Sequence, residues 1–284
     1  MSEIQSTVAA RSLLANPGAV PATRKKPMKT RSIPSVAISA LGLAALFLAW
    51  AFVSTSGWLP PGYLPSPLEL LRESGVLLEE GYKGATIFQH IEISLFRTLV
   101  GFALGVMFGV PLGLLTGFSR TGGALASPIM AFIRPIPPIA FIPMVVLYFG
   151  LGEVGKVVLI FWTSFNYVHV NAHAGAANVP IAYLRAAKSL GLSRWQQFTR
   201  IVFPASIPQI FTGLKVAMAL SWAVVVAAEL TGAQSGLGYM IADAALTFRI
   251  PVVFIGIALI GAIGLMLNLM INVLESRLVH WRGR

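Results

Sequence analysis

The segment Gly150-Leu151-Gly152-Glu153-Val154-Gly155-Lys156-Val157 comes within one residue of a phosphate-binding loop. In such a loop, glycine-rich backbone cradles phosphates, the lysine reaches the outer ones, and a following Ser or Thr holds magnesium. Val157 occupies that last place, no strand precedes the segment, and it joins two long apolar runs. Nucleotide binding is not expected there, and no catalytic residue is assigned. His169 and His173 sit four apart, so on a helix both imidazoles share a face. No carboxylate stands near them in sequence, so they are read as polar residues lining a helix interface, and no metal site is assigned. Cysteine is absent, which excludes a disulfide framework, a thiolate nucleophile and a Cys-based metal site.

The remaining candidates are polar residues set inside apolar runs. Arg134 begins Arg134-Pro135-Ile136-Pro137-Pro138. Its guanidinium suits an anionic group, or its stem lies along apolar surface with the charge reaching water. Glu229 is either a gate or contact for a solute amine, or one half of an ion pair or hydrogen bond holding helices in register. Asn166, Ser221 and Trp222 are placed to touch a solute, and hydrogen bonds between helices explain them equally well.

The elements that position these residues follow from composition. The chain of 284 residues is 56% hydrophobic and 11% charged, with a mean hydropathy of +0.78. A soluble domain carries about 25% charged residues, so a water-surrounded fold is excluded. Six apolar stretches, approximately 34–54, 90–117, 125–149, 154–175, 210–231 and 252–274, have the length of about 20 residues that crosses a bilayer as a helix. The expected fold is therefore all-α, a polytopic membrane protein with six transmembrane helices in one membrane domain over 34–284. Prolines cannot continue an unbroken helix through 134–143. Broken backbone at membrane depth is tolerated only where it is buried in protein or lines a watery cavity, which makes Arg134, Pro135, Pro137 and Pro138 candidates for a pathway wall. Gly101, Gly105, Gly109, Gly113 and Gly117 recur every four residues and form a bare strip that another helix can approach closely.

The formal charge of +11 invites a nucleic-acid reading, but its distribution excludes one. Arg11, Arg24, Lys25, Lys26, Lys29 and Arg31 lie in a Ser/Ala/Pro-rich stretch, 1–33, expected to be a disordered tail. Arg120, Arg185, Lys188, Arg194, Arg200, Arg277, Arg282 and Arg284 flank alternate runs on the same side. The other side holds Arg72, Lys83, Lys156 and Arg249 among acidic residues. The excess of Lys and Arg on one side predicts both termini cytoplasmic.

The longest connection on that side, about 178–208, reads NVPIAYLRAAKSLGLSRWQQFTRIVFPASIP. Asn178 is expected to cap a short helix with Pro180 in its first turn, and Gly191 to end it with a positive φ. Ala186 and Ala187 offer a smooth side, and Tyr183, Leu184, Leu190 and Leu192 supply apolar area. A helix so equipped on a cytoplasmic loop implies a docking partner.

The spacing Arg185-Ala186-Ala187, Gly191, Ile201, Phe203-Pro204 resembles the EAA loop of ABC importer permeases, with Arg185 in place of a glutamate and Phe203 in place of a leucine. Arg134-Pro135-Ile136-Pro137-Pro138, Phe149-Gly150-Leu151-Gly152-Glu153 and Gly236-Leu237-Gly238-Tyr239 resemble the branch that transports taurine, alkanesulfonates, nitrate and bicarbonate. Arg185-Ala186-Ala187 and Ala227-Ala228-Glu229-Leu230 look most like taurine permeases. The resemblance implies a type I importer fold in the bacterial inner membrane. It also implies a coupling helix carrying Arg185, Ala186, Ala187, Gly191, Ile201 and Pro204, and a second permease copy. The remaining implied partners are two copies of an ABC ATPase subunit, which would hold ATP and magnesium, and a periplasmic binding protein. No cofactor is expected on this chain. A carrier driven by an ion gradient would share the composition and broken helices, but it needs no docking loop and uses coupling-ion carboxylates, for which Glu229 is the one acidic candidate well inside a run.

Overall fold

The structure is a computed structural model that describes residues 35–58, 60 and 62–279. The tail expected at 1–33 lies outside the described residues, as do Arg282 and Arg284. The chain divides into two units, Met1–Ala49 and Trp50–Arg284. Helix α1, Ser35–Thr55, contains an apolar window, Ile38–Thr55, with none of its residues buried.

In the second unit, α2 spans Pro67–Glu80. It starts there because Ser66 and Glu69 form a reciprocal capping box with Pro67 at the first helical position. Helix α3 spans Ile87–Phe118, α4 Arg120–Ile133 and α5 Ile142–Phe149. Between α4 and α5 the chain breaks at the proline cluster, passes through a 3-10 turn at Pro138–Phe141, and bends by 84°. Helix α6 spans Glu153–Ala177.

The glycine strip of α3 lies against α6. A Cβ at Gly105 would stand 2.5 Å from Ser164 Oγ, and one at Gly117 would stand 2.4 Å from His173 O. Only a bare face lets the two backbones approach so closely.

Helix α7, Ile181–Ser189, stops in a Schellman arrangement. Leu192 N–H donates to Ala187 O and Gly191 N–H to Lys188 O, with Gly191 at φ 74°. Asn178 does not cap this helix, contrary to the sequence expectation. It closes α6 instead, its N–H reaching Ala174 O, and Pro180 stands at the start of α7. The short α8, Arg194–Gln197, runs through a π turn at Phe198–Val202 into α9, Phe203–Leu230. The π turn has a cause in Pro204, which lacks an N–H and disturbs regular i→i−4 bonding. Phe203 N–H reaches back to Phe198 O. Helices α10, Leu237–Leu246, and α11, Ile250–Leu278, complete the fold.

Among the described residues, four helical stretches, in α1, α3, Arg194–Leu230 and α11, are long and apolar enough to cross a membrane, and the bent α4–α5 pair, taken as one span, makes a fifth. The sixth expected span, α6, has 25 residues and so reaches about 37 Å, but it is more polar. Its position explains this. It packs against α3 and α9, so its polar side chains meet protein in place of lipid.

Candidate functional site

Two places on the bundle gather the candidates: a surface at the loop end, and cavities beside the broken helix.

At the loop end, Ala187 is 3% exposed and faces the chain's own interior. This corrects the expectation that both alanines offer an outward side, since only Ala186 is exposed. Leu184, Phe198 and Ile201 pack on a buried cluster that includes Leu114, Ala176 and Val202, and Phe118 meets Phe198 at 5.6 Å between ring centroids. Anchored in this way, the loop turns Ile181, Tyr183, Leu190 and Trp195 outward, with Leu190 79% and Trp195 71% exposed. Arg185 is exposed as well. Pro204, in the first turn of α9, carries the loop directly into a helix long enough to span the membrane.

Arg134, Pro138 and Asn166 come together around a cavity of about 200 Å³, with Trp162, Tyr167 and Asn171 also in its wall. Pro135 and Pro137 are exposed at the break beside it. A second cavity, of about 220 Å³, is lined by Arg134, Ser127, His169 and His173. Ser221 and Trp222 line neither. Both are buried inside the bundle, where the Trp222 indole N–H donates to Ile260 O of α11 at 3.0 Å.

Glu229 stands apart from both cavities. It is 1% exposed, and its carboxylate accepts from Arg97 Nη1 at 2.7 Å, Ser94 Oγ at 2.8 Å and Gly238 N at 2.9 Å. Arg97 also forms a fork with both oxygens of Glu153, at 2.5 and 2.6 Å, the bidentate geometry that makes such pairs strong. His90, Ser94 and Arg97 fall on one face of α3, and all three hold the segment that opens α10: Gly236 N–H donates to His90 Nδ1, Leu237 N–H to Ser94 Oγ, and Arg97 Nη1 to Ser235 O. Gly236 has φ 116°, and a Cβ there would lie 2.4 Å from the Glu229 carboxyl carbon. Of the two readings of Glu229, the geometry is that of an ion pair and hydrogen bonds between helices.

The sequence reading missed the role of Arg97 and of His90. The available signal was an arginine about three turns into a long, mostly apolar helix of 32 residues, rare enough in a membrane to require a partner.

The phosphate-loop look-alike is occupied by its own side chains. Lys156 is buried and donates back to Leu151 O at 2.9 Å and to Glu153 at 3.2 Å.

A broken, cavity-lined helical bundle with an apolar loop turned outward at one end is the architecture of a membrane transport subunit. The comparisons with known proteins agree. Residues 109–280 match the family described as "Binding-protein-dependent transport system inner membrane component", and the chain belongs to that family. It is 37% identical over 249 residues to the taurine transport system permease protein TauC of Escherichia coli (strain K12), covering 87% of this chain and 90% of the relative. It is 32% identical to the putative aliphatic sulfonates transport permease protein SsuC of Bacillus subtilis (strain 168), over 92% of this chain and 93% of the relative. Among solved structures, inward-facing conformations of the MetNI methionine ABC transporter match with a TM-score of 0.60 and 16% identity, over 72% of this chain and 98% of that one, which shows the fold. The protein is thus a multi-pass inner-membrane permease of an ABC importer. It is not an enzyme, since the ATPase is a separate subunit. It works with that ATPase and with a substrate-binding protein.

Proposed function

We propose that the chain pairs with a second copy of itself to form a solute pathway, and that two ATPase subunits, holding ATP and magnesium, drive it by gripping α7 of each copy. The observation that carries this reading is the loop surface. Leu190 and Trp195 are the exposed apolar tips of an element whose other side is fixed to α3, α6 and α9, so a force applied at the tips reaches the membrane helices through packed side chains. Arg185, Ala186, Gly191, Ile201 and Pro204 belong to this coupling element. The Lys and Arg excess around the loop argues for a cytoplasmic loop and cytoplasmic termini. The binding protein then delivers solute at the opposite end.

The solute is a small organic anion or zwitterion, with taurine or a related sulfonate favoured over nitrate or bicarbonate. Support comes from the names of the relatives and from Arg134, which is among the residues lining both cavities and whose guanidinium suits an anionic head group.

The test is uptake into proteoliposomes containing the permease, its ATPase subunit and the binding protein. Accumulation of taurine that requires internal ATP supports the reading. Uptake that follows an ion gradient and ignores ATP contradicts it.

A further inference from the structure

Among the described residues, two that are not glycine hold a left-handed backbone, Lys83 at φ 51° and Phe248 at φ 57°. Both stand beside Asp243 of α10. Lys83 Nζ lies 3.5 Å from the Asp243 carboxylate, and Phe248 closes the helix that carries it. Backbone strain of this kind persists only where the surroundings impose it, and it collects at functional positions.

Phe248 ends α10 in a Schellman arrangement. Arg249 N–H donates to Ala244 O at 2.8 Å, and Phe248 N–H to Ala245 O at 3.3 Å. Helix α7 ends in the same way, and there the left-handed place belongs to Gly191. A Cβ is unfavourable at that place, yet α10 sets a phenyl group on it. The ring gives its own chain little in return, since Phe248 is 85% exposed and Leu246, two residues earlier, 81%.

This tip stands on a fixed base. The Tyr82 hydroxyl donates to Asp243 at 2.7 Å, and Arg249 Nη2 donates to Glu73 of α2 at 2.5 Å. The Arg249 guanidinium also lies over the Tyr82 ring, 5.3 Å from its centroid. Apolar tips held in place beside paired charges have the anatomy of an interface centre and its polar edge. The same charges argue against lipid as the cover. Sinking the ring into hydrocarbon would draw Asp243, Lys83, Arg249 and Glu73 toward it, and charged groups are costly there.

Position along the bundle names the partner. Lys215 of α9 pairs with Glu275 near the end of α11, on the side where α9 leaves the coupling loop. The start of α11 at Ile250 is about 37 Å from there along the helix. Phe248 therefore lies at the end away from the ATPase, where the binding protein delivers solute.

We infer that Phe248 and Leu246 are the anchor on which the substrate-binding protein docks, seated in an apolar recess of that partner. The inference rests on the import reading above and assigns the surface that this partner meets.

The test uses the permease–ATPase complex in lipid nanodiscs with the binding protein added. A photoreactive group is introduced by Phe248→p-benzoylphenylalanine and, as a control exposed on the apolar length of α11, by Leu265→p-benzoylphenylalanine. Irradiation is expected to link position 248, and not position 265, to the binding protein. Products at 248 that contain lipid or a second permease copy in place of the binding protein, or no product at all, overturn the inference. Phe248→Gly separates docking from folding. It relieves the left-handed position, so the unfolding temperature is expected to stay the same or rise, while affinity for the binding protein falls about tenfold, the scale of an interface anchor. Unchanged affinity overturns the inference whatever the stability does. ATP-driven import without a crosslink at 248 contradicts the docking surface alone, whereas a crosslink to the binding protein in a complex that imports nothing supports the surface and contradicts the import reading.

Discussion

Arg97 and Glu229, 132 residues apart in sequence, meet at 2.7 Å with side chains 1% and 0% exposed. The pair joins α3 to the end of α9. Through Ser235, Glu153 and Gly238 it also fixes the start of α6 and the entry to α10. Removing Arg97 leaves the buried Glu229 carboxylate with only the neutral donors Ser94 and Gly238, at a cost of about 3–5 kcal/mol, whereas without Glu229 the guanidinium keeps its fork to Glu153. Arg97→Leu is therefore expected to lower stability by about that amount and Glu229→Leu by less, and the double variant to lose less than their sum. Thermal unfolding of the purified protein, arranged as a double-mutant cycle, measures the coupling.

The glycine strip makes a second prediction. Gly105→Val would push side-chain carbon into Ser164, where even a Cβ stands 2.5 Å from the hydroxyl oxygen. Overpacking of this kind costs about 1–3 kcal/mol. The variant is expected to enter the membrane and to unfold at lower temperature, whereas the same change at Gly261, where nothing lies within 4 Å of the Cβ position, is expected to be tolerated.

Tyr82 gives a prediction in pH. Burial first, and then its 2.7 Å hydrogen bond to Asp243, push the phenol up from 10.0 to about 12. Because the folded-state value is raised, the stability this group contributes is fully present below pH 10 and is lost as pH rises through about 12. An ultraviolet titration of phenolate formation is expected to show one late-titrating tyrosine that disappears in Tyr82→Phe. Loss of no late component in that variant would contradict the assignment.

The coupling loop predicts a separation of function. Gly191 has φ 74°, a conformation that costs a residue with a Cβ about 1–2 kcal/mol. A bulky residue there is expected to loosen the end of α7 without disturbing the membrane helices. Gly191→Phe should leave the permease in the membrane and abolish or strongly reduce ATP-dependent uptake. Unchanged uptake would count against the loop's role.

Local signals carried much of this architecture. The prolines at 135, 137 and 138 marked the broken helix because their chemistry forbids regular bonding at that point, and the strip from Gly101 to Gly117 marked the close contact of α3 with α6. Gly191 marked the end of α7 for the same local reason. What stayed hidden depended on distant partners. Nothing within ten residues of Arg97 indicates that Glu229 answers it, and no short-range pattern shows that Asn166 and His169 each line a cavity with Arg134. The facing of α7 was hidden too. Ala186 and Ala187 are alike in size, and only the anchoring of Leu184 and Ile201 decides which of them turns inward. The N-terminal boundary of α7 was misjudged because Asn can either start a helix or finish one, and here the preceding helix runs on to claim it.

The most direct test asks whether the exposed tip of the loop is covered by the ATPase. The chain has no cysteine, so Leu190→Cys places a single thiol on the surface in question. That thiol is expected to react rapidly with a bulky maleimide in the isolated permease, and to be shielded once the ATPase subunit is bound and uptake is active. A thiol that stays equally reactive in the assembled, transporting complex would contradict the account.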